Sequence, residues 1–127
     1  MQGKQVFEYA IVRVVPRVER GECINVGVMV FCKRTRFLEM KYQLDEPRLR
    51  AFSAQLDLEE LAGYLHGWDL ICQGRKEGGP IARLDVPERF RWLSAVKSTI
   101  LQCSRVHPGL CEDPKALLER LFDQYVA

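Results

Sequence analysis

Val6-Phe7-Glu8-Tyr9-Ala10-Ile11-Val12-Arg13-Val14-Val15, Ile24-Asn25-Val26-Gly27-Val28-Met29-Val30-Phe31-Cys32 and Phe37-Leu38-Glu39-Met40-Lys41-Tyr42 decide the fold. The first two runs are nearly continuous in apolar, β-branched and aromatic residues, the composition of strands covered on much of both faces; only Glu8 and Arg13 interrupt the first. The third alternates strictly, as a strand with one buried and one wet face does. Pro16 stops the first run. Arg17-Val18-Glu19-Arg20-Gly21-Glu22 then reads as a hairpin loop with Gly21 as its positive-φ residue, and Lys33-Arg34-Thr35-Arg36 as a second turn. Three antiparallel strands in a meander are therefore expected to open the chain.

Helices follow, each announced by an acidic cap. Asp45-Glu46-Pro47 begins a short one carrying Leu49 and Phe52. Asp57 and Glu60 have the spacing of a capping box, after which Leu58, Leu61, Ala62, Leu65, Trp68 and Cys72 fall on one apolar stripe. Asp85-Val86-Pro87-Glu88 repeats that spacing for a helix through about Ala95. Asp113-Pro114 places an N-cap before Pro at the first helical position, and Leu117, Leu118, Leu121, Phe122 and Tyr125 form the stripe of a terminal helix. Between these elements, Gln73 to Pro80 reads as a glycine-rich loop, Ser98 to Ser104 as a fourth strand, and Pro108-Gly109 as a turn. The pattern predicts an α+β fold in a single domain, residues 1–127. Its sheet is mostly antiparallel, a three-stranded N-terminal meander plus one late strand, with helices packed on one face.

A chain of 127 residues can bury a core without staples, and 47% hydrophobic with 28% charged residues excludes the disordered and collagenous classes. A formal net charge of +2 falls short of a dedicated nucleic-acid domain. The charge is uneven: residues 1–50 hold ten basic and six acidic groups, residues 51–77 two and five. Five cysteines at irregular spacing, with no CxxC pair, read as reduced thiols in a cytoplasm. The N-terminal residues lack the apolar core of a secretory signal, and no apolar run approaches the ~20 residues that span a bilayer, so a cytoplasmic protein with no membrane insertion is expected.

No motif specifies a reaction by residue type and spacing. Arg13, Arg17 and Arg20 with Asn25 surround the first hairpin, and forked guanidinium donors suit a carboxylate or phosphate, although such charges are more often merely solvated. Arg13 stands out because it interrupts an otherwise buried strand and needs a partner there. Lys97, Ser98, Thr99, Gln102 and His107, with Arg89 and Arg91 on the preceding helix, form a second polar group that could hold a phosphate or polarise a small ligand. Ser98 and His107 would permit nucleophilic chemistry, yet no G-x-S-x-G elbow and no orienting Asp accompany them. Cys103-x3-His107-x3-Cys111 offers zinc-ligand chemistry without a C-x2-C knuckle, and buried cysteines are the commoner outcome. Neither a metal nor a cofactor is expected. Phe90 and Trp92 point to different sides of their helix, so an exposed Trp92 beside Arg89 or Arg91 would have the makings of an interaction hot spot.

The run Tyr9 to Glu22 followed by Asn25-Val26-Gly27-Val28, and later Glu88-Arg89-Phe90-Arg91-Trp92-Leu93 with Ser98-Thr99, Gln102, His107, Gly109 and Cys111, resembles a small bacterial family catalogued as domain of unknown function 3037. The likeness spans nearly the whole chain and brings no activity with it; what it implies is a partner or regulatory role, with a HipA-like kinase as the partner. The expectation is thus a non-catalytic protein-interaction or regulatory module using Arg89, Arg91, Trp92, Lys97, Gln102 and His107. The alternative is a phosphate-ligand or nucleic-acid-binding protein built on Arg13, Arg17, Arg20 and Asn25, with Lys97, Ser98 and His107 as the residues of a possible enzyme.

Overall fold

A computed structural model describes residues 3–17, 20–95, 97 and 99–127. The three opening runs form β1 (Gln5–Val14), β2 (Ile24–Cys32) and β3 (Phe37–Tyr42), an antiparallel meander in which Tyr9 pairs with Val30 and Met29 with Met40. Gly21 does take a positive φ of 70°. Val26 is an extra residue in β2, because Val12 faces Gly27 while Arg13 faces Asn25. Such a bulge lets Arg13 stand in a strand that is otherwise apolar.

The helices are α1 (Glu46–Phe52), α2 (Leu58–Gln73), α3 (Val86–Ser94) and α4 (Pro114–Tyr125). Asp45 accepts from the Arg48 amide, Asp57 from Glu60, and Asp113 from Lys115 and Ala116, each such cap stabilising its helix by about 1 kcal/mol. At α3 the Glu88 carboxylate takes the Asp85 amide at 3.3 Å, while the Asp85 side chain receives Arg36 from the tip of the β2–β3 hairpin. The Gln73–Pro80 region, expected as a loop, contains the short 3-10 turn Lys76–Gly78 and leads into a second, Pro80–Arg83.

Helices cover both faces of the sheet, a correction to the expectation of one face within the α+β class that the structure shows. Ala10, Val12, Met29, Phe31, Leu38 and Met40 pack under α1, α2 and α3. Phe7, Ile11, Val28 and Val30 pack under Leu117, Leu118, Leu121 and Phe122 of α4. The physical reason lies in the continuous apolar runs of β1 and β2: alternation sends their side chains to both faces, and burying each large one is worth roughly 1.5–3 kcal/mol. Among the described residues no helix is long and apolar enough to cross a membrane.

The late strand is also split. β4 (Leu101–Cys103) pairs with Val12–Val14, and β5 (His107–Cys111) pairs with Gln5–Tyr9 along the same side of β1. His107-Pro108-Gly109 is therefore strand, not the turn that Pro-Gly suggests; Glu8 faces Pro108 and Phe7 faces Gly109. Gly109 is required by packing, since a Cβ there would lie 2.7 Å from the Phe7 ring. Between the two pieces Ser104 carries the ladder: its amide donates to the Ile11 carbonyl, and its hydroxyl accepts from the Ile11 amide, both at 2.8 Å.

Candidate functional site

Tyr64 and Trp68 sit one turn apart on α2 and so share a face. With Trp92 of α3 they wall an open cleft of about 780 Å³, to which the segment after α3 adds Ile100 and Leu101. Tyr64 is 47% exposed and Trp92 40%, whereas Trp68 is buried at their base and Phe90, on the other side of α3, stacks on Phe31. The division of Phe90 and Trp92 between core and surface follows from their angular separation on the helix. Glu60 and Lys97 supply the charges of the cleft.

Lys97 closes the end of α3. Its Nζ donates to the carbonyls of Trp92, Leu93 and Ala95, groups that a helix C-terminus leaves without intrahelical donors. The same ammonium lies 4.7 Å from the Trp92 ring centroid and 5.5 Å from that of Trp68. Such cation–π contacts are worth about 0.5–2 kcal/mol. Burial pulls the Lys97 pKa below that of an ordinary lysine, against carbonyls and indole faces that favour the charged form. The arrangement presents the Trp92 indole and the Tyr64 ring above a buried Trp68, with the Lys97 ammonium set against both indoles.

The other predicted residues fall into separate places. Arg89 is 9% exposed and points into the protein, where Nη1 donates to the Ile71 and Cys72 carbonyls and Nε to that of Leu84. It closes the C-terminus of α2 and does not share a surface with Trp92. Arg91 is exposed at the far end of the sheet, among Lys4, Lys33 and Arg34. Arg13 donates to Asn25 Oδ1 at 3.3 Å, and Asn25 in turn to the Tyr125 carbonyl at 3.1 Å, so the buried-strand arginine finds its partner in the chain. Gln102 is the ladder neighbour of Arg13, and its amide donates to the Thr99 carbonyl. His107 packs its ring 5.2 Å from Tyr9 on the α4 face of the sheet. Arg17 and Arg20 line a shallow cleft of about 350 Å³ with Ser53 and Gln55, and Arg20 pairs with Glu22 at 3.3 Å. Ser98 lies outside the described residues.

The Cys103-His107-Cys111 spacing does not converge. Cys103 packs beneath α3, its thiol donating to the Leu93 carbonyl, while Cys111 belongs to the core under α4, on the opposite face of the sheet. Burial pushes the Cys103 thiol up to about 11 and that of Cys72 higher still. Among the described residues no group of three or more His, Cys, Asp or Glu side chains could hold a metal ion.

Tyr64 and Trp68 are the cleft residues that sequence reasoning missed as functional. Their signal was the i, i+4 aromatic pair at the margin of the α2 stripe, with Trp68 absorbed into the core reading. No curated protein and no solved structure matches the chain. The family model described as a protein of unknown function (DUF3037) matches residues 9–126, and the chain belongs to that family.

Proposed function

We propose that this is a non-catalytic, cytoplasmic interaction module whose regulatory role is exercised by docking a protein partner in the Tyr64–Trp68–Trp92 cleft. The observation that carries this reading is the exposure of two large aromatic side chains around a concave apolar surface, the anchor chemistry on which binding energy concentrates in protein interfaces. Lys97 spends its donors on the α3 carbonyls, so Glu60 is the charge left to a ligand. A partner segment with an apolar anchor and an adjacent basic residue fits that pairing, and a HipA-like kinase is the partner we propose to supply it.

The test is calorimetric titration of the protein with a purified HipA-like kinase from the same genome, in parallel with Tyr64→Ala and Trp92→Ala. Both side chains are half-exposed, so the variants fold, and each is expected to weaken binding by roughly 2 kcal/mol, about thirtyfold. Kinase binding that ignores both substitutions, or no kinase binding at all, would sink the proposal. Association with nucleic acid that falls steeply with salt would replace it by the reading built on Arg13, Arg17 and Arg20.

A further inference from the structure

We infer that the end of the sheet beyond α3 is a second docking surface, and that it takes an acidic peptide segment bearing an aliphatic side chain. Val6 and Leu110 are cross-strand partners on β1 and β5, each 62% exposed. They lie on the face that α1, α2 and α3 cover elsewhere, in step with Ala10 and Val12, but the helices end before reaching them. Two aliphatic side chains held side by side in solvent form a preassembled apolar contact.

Charge decides the occupant. Lys4, Lys33, Arg34 and Arg91 line the adjoining open hollow of about 620 Å³, with Val6 and Phe31 among its apolar walls and Glu8 its one acidic residue. None of those four cations has a carboxylate within 4 Å among the described residues. A field of unpaired cations around an aliphatic floor is complementary to carboxylates flanking a Leu or Ile. Single-stranded nucleic acid fits less well, because base stacking needs exposed aromatic faces and Phe7 and Phe31 are buried. The site is independent of the aromatic cleft: Arg91 and Trp92 are consecutive on α3 and diverge by about 100°.

The experiment is fluorescence anisotropy with a fluorescein-labelled peptide of alternating glutamate and leucine, a lysine-leucine counterpart, and a short thymidine oligonucleotide. The acidic peptide is expected to bind, the basic one not. Arg91→Ala and Leu110→Ser, both at exposed positions, should each weaken binding about tenfold, with Trp92→Ala leaving it unchanged. Absence of acidic-peptide binding, indifference to both substitutions, equal loss with Trp92→Ala, or tighter binding of the oligonucleotide would each overturn the inference.

Discussion

Replacing Arg89 by Met removes a buried guanidinium while keeping most of its apolar stem. The Ile71 carbonyl retains the Gly74 amide at 3.0 Å, but the Cys72 and Leu84 carbonyls lose their Arg89 donors. Each such orphan costs about 1–3 kcal/mol where water cannot reach it, and loss of the cation from the α2 C-terminus adds about 0.5–1 kcal/mol. We therefore expect Arg89→Met to destabilise by about 3–4 kcal/mol, a large share of the roughly 5–15 kcal/mol that holds a domain of this size. Arg89→Lys, which keeps the charge but cannot fork between helix end and Leu84, should lose about 1–2 kcal/mol. Urea unfolding would show a lower midpoint at unchanged slope, and the melting temperature of Arg89→Met would fall by about 10–15 °C. Gly74 supplies an internal control: at φ 71° its Cβ would lie 2.8 Å from Arg89 Nη1, so Gly74→Ala should cost less in the Arg89→Met background than alone. An Arg89→Met protein within about 1 kcal/mol of wild type, no worse than Arg91→Met, would refute the argument. If that stable variant also lost partner binding, Arg89 would return to the functional surface.

Gly109→Ala should destabilise by about 1–3 kcal/mol through collision with the Phe7 ring, and Phe7→Leu in the same chain should recover part of that loss in a denaturation series. Of the five thiols, Cys23 is exposed and should react first with a chromogenic disulfide at neutral pH. Cys72, buried and held neutral, should react only as fast as the protein unfolds, and the partly buried Cys103, its thiol pushed up by desolvation, more slowly than Cys23, so labelling of either at the Cys23 rate in native protein would contradict the packing.

The fold was legible where local chemistry and tertiary packing agree. The acid residues at 45, 57, 85 and 113 all stand at helix starts, because a side chain that satisfies helix-end donors acts within one turn and needs no distant partner. Pro108-Gly109 misled because a turn is the local preference of that dipeptide, whereas pairing with Glu8 and Phe7 is a long-range fact. Arg36 hides its positive φ of 54° behind an ordinary side chain. The second layer under α4 was present in the β1 and β2 runs as apolar residues of both parities. For the site, the exposure of Trp92 was readable from helix geometry, whereas Lys97 was named only within a polar group with Thr99, Gln102 and His107, and neither its closure of α3 nor the inward turn of Arg89 was legible: a charge looks the same in sequence whether it meets solvent or closes a helix. Tyr64 became significant only when α2 and α3 set it opposite Trp92.

The division of the late strand at Ser104 has a consequence for colloidal behaviour. An incoming strand from another molecule would need a continuous row of free amides and carbonyls in one register. Along this border it finds the three residues of β4, a break over residues 104–106 that belong to no strand, and then five residues of which Pro108 has no N–H to give. Two short frames out of step cannot template the growth of a ribbon, so this side of the sheet is guarded against fibril extension although Leu110 stands bare beside it.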